Sequence, residues 1–259
     1  MKRYLVFFFV ILIVVLAGMK LYFIYSTPDI KPHVDPTWNA GQIVHLLPTV
    51  NHNRILIKAS FQIPLTQAPI LKANGKSYVG RQTDTQGYFW YFDATGLEPN
   101  HKYDLAIEDS LGKPLCDPWP LSTFPSPNEK PERLRLLIFT GLGGHDIHIE
   151  WFSTGPLPLS TRIRLLKRAL SFKPDMLISS GDQIYYDLRY DKSAKVMGDS
   201  AKSKAYAGQF DPSLPILGTK NEEVLKKAAG PQIAYLYGTV CRSIPTFFLL
   251  DDHDYFEND

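Results

Sequence analysis

The sequence predicts three parts in order: an N-terminal transmembrane anchor, an all-β sandwich, and an α/β core that is incomplete at its C-terminus. Three observations predict this. The chain opens on MKRYLVFFFVILIVVLAGMKLYFIYS, where Lys2 and Arg3 precede an almost purely apolar run. Residues 36–125 hold short β-branched and aromatic segments separated by Gly, Asn and Pro, the pattern of a many-stranded all-β unit. From residue 126 onward, continuous apolar strands alternate with a helical period, the pattern of a parallel sheet with crossover helices.

The bulk composition fits folded domains. A length of 259 residues suits about two domains, and 44% apolar residues can fill their cores. Lys plus Arg is 28 against 26 Asp plus Glu, a net charge of +2. That balance offers no electrostatic footprint for nucleic acid, so no nucleic acid partner is predicted. The two cysteines, Cys116 and Cys241, fall in different predicted units and form no CxxC pattern.

In the first 26 residues the apolar run from Tyr4 to Gly18 continues past Lys20 as LYFIY. A bilayer core takes about 20 helical residues, and a terminal Lys reaches the headgroups along its own stem. With no clear A-x-A cleavage site, the segment reads as an uncleaved anchor at 1–26, the rival being a cleaved signal peptide. The leading positive charges put the N-terminus inside, the chain in a single pass, and the body at the cell surface or in the periplasm. Residues 27–35, STPDIKPHV, form a tether.

In the β unit, RILIKASF, SYVGRQT, YFWYFDAT and YDLAIED read as strands. In TGLEPNHKYDLAIED, Leu97 and Pro99 precede Tyr103, which opens a strand. This resembles the Leu-x-Pro…Tyr corner of fibronectin type III domains, where the phenol bonds back to upstream backbone. The prolines at 118, 120, 125, 127 and 131 cannot continue a ladder or helix, and the boundary falls near residue 126.

The second unit starts with RLRLLIFTG as a buried strand. STRIRLLKRALSF follows as a helix capped by Ser160 or Thr161, with Ile163, Leu166, Ala169 and Leu170 inward and Arg162, Arg164, Lys167 and Arg168 mostly outward. PDMLISSGD is the next strand, and strand–helix–strand predicts a parallel pair. Residues 188–218 read as an inserted polar stretch. A helix from about Asn221 to Arg242 breaks near Gly230-Pro231, and PTFFLL makes a third strand.

Each of the three strands runs into a polar segment: TGLGGHDIH, GDQIYYD and DDHD. Open parallel sheets bind ligands at the carboxyl ends of their strands. Gly181 permits a sharp turn off the second strand, so Asp182 projects from the sheet edge with Tyr185 one turn on. A carboxylate beside a phenolate suits a hard ion such as Fe(III). On the third strand, Asp252 offers a metal ligand and His253 a proton donor near neutral pH.

GDQIYYD followed by PTFFLLDDHDYFEND resembles two consecutive blocks of the calcineurin-like metallophosphoesterase superfamily, and DDH resembles its PhoD-like (alkaline phosphatase D) branch. The resemblance spans roughly residues 36–259. It implies a sandwich-type core with two metal ions and a phosphate ester substrate, monoester or diester. Carried over, Asp182 would bridge the metals, Tyr185 would bind an iron ion, and Asp252 would hold the second metal (calcium or another divalent ion). His253 would contact the phosphate and protonate the leaving group.

The match departs at two places. PhoD-like enzymes carry a cysteine ligand just after the first strand, where this chain has Leu142. Asp146-Ile147-His148 supplies the superfamily's Asp-x-His a few residues late. Either His145, Asp146 or His148 reaches the site as a metal or phosphate ligand, or the ligand is lost. The family's remaining ligands lie beyond the DDH block. The resemblance therefore implies that 126–259 is the N-terminal part of a metallophosphoesterase domain, inactive by itself. The alternative is a non-catalytic, anchored β-sandwich binding module with a degenerate phosphoesterase half.

Overall fold

A computed structural model describes residues 2–25, 35–140, 159–190 and 199–255. The chain opens on helix α1 (Lys2–Tyr25). Strands β1 (Ile43–Val50), β2 (Arg54–Phe61), β3 (Ile70–Ala73), β4 (Lys76–Val79), β5 (Arg81–Gln82), β6 (Phe89–Thr95), β7 (Lys102–Glu108) and β8 (Trp119–Ser122) follow. They form two antiparallel sheets, ordered β1-β2-β6-β5 and β4-β3-β7-β8.

One expectation is overturned. Among the described residues no helix is long and apolar enough to cross a membrane. The transmembrane anchor, the membrane as partner, and the single-pass topology with an extracytoplasmic body are therefore withdrawn.

The two sheets pack on one core because their strands alternate. β6 buries every second residue, Trp90, Phe92 and Ala94, and β7 does the same with Tyr103, Leu105 and Ile107. Such period-two burial places one face of each sheet inward. Trp38 and Trp119 meet edge to face across that core at 6.2 Å. Pro48 and Pro120 lie on the edge strands β1 and β8, where a missing N–H costs least. Glu98 N–H donates to the Tyr103 hydroxyl at 2.7 Å, closing the corner that Leu97, Pro99 and Tyr103 predict. Cys116 lies in this core and Cys241 in the next one, both as free thiols.

The second unit holds strands β9 (Leu136–Phe139), β10 (Met176–Ser180) and β11 (Thr246–Leu249) in the order β11-β10-β9. Both pairings are parallel. Helix α2 (Leu159–Leu170) lies between β9 and β10 in sequence. Leu166 from α2, Leu177 from β10, and Leu236 and Tyr237 fill the core on one face of the sheet.

Arg162 is not on the outer face of α2. It is buried and donates to Gln232 Oε1 at 2.6 Å. Burial lowers its guanidinium to about 10.

Short helices α3 (Asp187–Tyr190) and α4 (Asp199–Ala207) precede α5 (Lys220–Ala229). Thr219 caps α5 by accepting from Asn221 N–H. Pro231 cannot donate an N–H, and the helix passes into a π-helical turn, Gly230–Ala234, before α6 (Tyr235–Tyr237).

The second unit docks on the edge and outer face of the first. Leu46 N–H donates to the Gly238 carbonyl at 3.0 Å, and the Thr49 hydroxyl donates to the Thr246 carbonyl at 2.8 Å. Leu47, which points away from the sandwich core, packs instead with Leu166 and Leu177. The Arg242 guanidinium covers the Trp38 ring at 4.5 Å and pairs with Asp35 at 3.0 Å. Further along, Glu222 on α5 accepts from Thr85 N–H and the Thr85 hydroxyl at 2.7 and 2.6 Å. Lys226 bridges Asp84 and Glu222 at 2.9 and 3.0 Å.

Candidate metal centre

The site is built from two loops that leave neighbouring parallel strands at their carboxyl ends. β10 ends in Ser180 and turns at once through Gly181 and Asp182, with φ of +74° and +55°. Two consecutive left-handed residues reverse the chain within one step. Glycine takes this conformation freely, and Asp tolerates it better than most residues. Glycine is also required for space: a Cβ at 181 would lie 2.7 Å from Asp251 Oδ2 and 2.9 Å from its Cβ. The two strand-end loops are therefore packed against each other at that point. Gly181 N–H continues the ladder to the Leu249 carbonyl at 2.9 Å.

Asp254 fastens the loops together. Its Oδ1 accepts from Gln183 N–H and Ile184 N–H at 2.9 and 2.7 Å. Its Oδ2 accepts from Asp251 N–H at 3.3 Å. The 3-10 turn Asp252–Tyr255 then presents Asp252 and His253 toward the first loop, and Tyr186 N–H reaches back to the His253 carbonyl at 3.1 Å.

This folding brings Asp182, Asp252 and His253 together. One donor atom from each lies within 4.8 Å of the others, and all three side chains are half-buried. Tyr185 closes one side. Its ring stacks on His253 with centroids 4.1 Å apart, and its hydroxyl donates to Asp182 Oδ2 at 3.2 Å. Burial, then the Asp182 carboxylate, pushes the Tyr185 phenol up to about 12. His145, Asp146, His148 and Leu142 lie outside the described residues.

Two residues near the site were missed as functional by sequence reasoning. Asp187 Oδ1 lies 3.0 Å from His253 Nδ1, as an ion-pair contact rather than an aligned hydrogen bond. Burial raises the Asp187 carboxyl, with His253 acting against the rise. Asp254 is the other. Each closes a quoted block, GDQIYYD and DDHD, so the block ends carried the signal.

The donor set suits a cation. Asp182 Oδ1 is buried and has no hydrogen-bond partner. An unpaired buried carboxylate oxygen is costly, and the other carboxylates nearby deepen that cost. A metal ion would satisfy it, and an all-oxygen-plus-imidazole set favours a hard or borderline ion over a soft one.

No protein-family model matches the chain, and neither does any curated protein. Among solved structures, the chain is similar to purple acid phosphatase PPD1 from yellow lupin (Lupinus luteus) seeds. Identity is 13% and the TM-score 0.48, covering 83% of this chain and 36% of that one. It is similar also to PhoD, at 14% identity and TM-score 0.46, covering 81% and 38% respectively. The chain thus spans under two fifths of either protein's length.

Proposed function

We propose that this chain carries part of the active site of a metal-dependent phosphoesterase, acting on phosphate monoesters or diesters. On this reading residues 36–125 form a fibronectin type III-like module, and 126–259 form the N-terminal part of the catalytic domain. The observation that carries the proposal is the convergence of Asp182, Asp252 and His253 at the carboxyl ends of two parallel strands, with the orphaned Asp182 Oδ1 among them.

Asp182, Tyr185 and Asp252 would hold the metal ions, iron for one and calcium or another divalent ion for the second. When bound, two such ions neutralise phosphoryl oxygens and lower the pKa of a coordinated water. The chain's own groups do the rest. Asp182 and Asp252 supply fixed negative charge on rigid strand ends, so little reorganisation is needed to receive a cation. Asp187 engages His253 Nδ1, which leaves Nε2 as the atom that would deliver a proton to the leaving oxygen. Stacking against Tyr185 holds the imidazole plane.

The reading is tested by adding Fe(III) to the purified chain and recording its visible spectrum. A tyrosinate-to-iron band that disappears in Tyr185→Phe is expected. A folded chain that gives no band, or the same band in Tyr185→Phe, refutes the assignment of Tyr185.

A further inference from the structure

A cleft of about 350 Å³ opens where α5 crosses the outer face of the β1-β2-β6-β5 sheet, apart from the metal-binding residues. Its volume is at the lower end of small-molecule sites. The floor comes from the sheet. His45 and Ser60 are register partners on β1 and β2, and Phe89 on β6 pairs with Ser60 in turn, so their side chains share one face. Lys58, two residues from Ser60, lies on the same face by strand alternation. The roof comes from the second unit, with Tyr186, Leu217 and Ala229 among the lining residues.

Three features distinguish this cleft from a packing defect. First, His45 is only 5% exposed yet lines it. Its Nδ1 is taken by the Ser60 hydroxyl, and its Nε2 has no partner among the described residues. That edge is not enclosed, so a ligand in the cleft can meet it. Second, Lys58 has no carboxylate partner among the described residues, whereas Lys226 nearby is fully engaged by Asp84 and Glu222. One cation is therefore free at the cleft and one is neutralised. Third, apart from Thr83, Asp84 and Glu222 the remaining walls are rings and aliphatic chains, and Leu217 is 57% exposed.

We propose that this cleft is a binding site for a small aromatic carboxylate. The ring would lie between Phe89, Tyr186 and Leu217, and the carboxylate would meet Lys58 and the free edge of His45. A single negative charge is favoured over a doubly charged phosphate because Asp84 and Glu222 line the same cleft and would repel the second charge. Such a ligand would touch both units at once and reinforce their docking. The proposal is independent of the phosphoesterase reading.

The test is calorimetric titration of the full chain, in EDTA, with 1-naphthoate and separately with 1-naphthalenemethanol. The two share a ring system and differ in charge, and EDTA removes any metal that could capture the carboxylate. Naphthoate is expected to bind one to one, about tenfold more tightly than the alcohol, the value of one charge-assisted contact of about 1.4 kcal/mol. Lys58→Ala should erase that difference while leaving the alcohol's affinity unchanged. Lys58→Arg should keep it. Because residue 58 is exposed, both variants should fold, as circular dichroism would verify. The proposal is overturned by no binding to folded protein at about 5 mM naphthoate, by equal affinity for acid and alcohol, or by an undiminished preference in Lys58→Ala.

Discussion

Asp254→Ala is expected to damage the candidate metal centre although Asp254 is not among the clustered donors. Its Oδ1 receives Gln183 N–H at 2.9 Å and Ile184 N–H at 2.7 Å, tying the loop after β10 to the loop after β11. Hydrogen bonds to a charged acceptor are worth about 1.5–3 kcal/mol each, and a stranded donor adds its own desolvation cost. Asp254 is only half-buried, so water compensates part of the loss. The expected destabilisation is about 2–4 kcal/mol. The same change frees Asp182 and Asp252 to drift apart, and groups that orient metal ligands typically contribute 10–100-fold in affinity. Urea unfolding followed by circular dichroism gives the first quantity, and Zn²⁺ titration gives the second. Asp254→Asn keeps one acceptor oxygen and should fall between wild type and Ala on both. Wild-type stability and wild-type zinc affinity in Asp254→Ala would refute the claim that this carboxylate assembles the site.

Three further outcomes follow from the geometry. Burial acts to raise the Glu222 carboxyl, but bonds from Thr85, Gly218 and Lys226 outweigh it and hold the group at about 2. A depressed carboxyl contributes stability that is full above its unfolded pKa of about 4.3 and is lost as pH falls through the folded value. The shift corresponds to about 3 kcal/mol, so urea midpoints should drop between about pH 5 and pH 2, and Glu222→Gln should flatten that slope. Gly181→Ala must hold a positive φ and push against Asp251; a loss of about 2–4 kcal/mol together with weaker metal binding is expected from the same two assays. Tyr103→Phe strands Glu98 N–H, now 2.7 Å from the phenol oxygen, and should cost about 1 kcal/mol in thermal unfolding.

The parallel three-stranded sheet was legible because LLIF, MLIS and TFFL are continuous apolar runs with a helical period between the first two. The Tyr103 corner was legible because its bond is local, from residue 98 to residue 103. What could not be read depends on partners far away in sequence. Arg162 looks like part of a solvated basic face until Gln232, seventy positions on, folds beneath α2. Thr85 and Glu222 carry no mark of their pairing in either local sequence. At the site, periodicity and strand ends indicated Asp182, Asp252 and His253, but the supporting roles of Asp187 and Asp254 emerge only when both loops are in place. The membrane anchor was read from the apolar run and the positive residues ahead of it, but among the described residues no helix is long and apolar enough to cross a membrane.

In the proposed cation site, Asp182 and Asp252 take part and their neighbour Asp251 does not. Mn²⁺ titration calorimetry on the wild-type chain and three Asn variants tests it directly. Asp182→Asn and Asp252→Asn should each weaken Mn²⁺ binding at least about tenfold, and Asp251→Asn, whose side chain lies outside the clustered donors, should leave it unchanged. Equal losses in all three variants, or no Mn²⁺ binding by the folded wild-type chain, would contradict it.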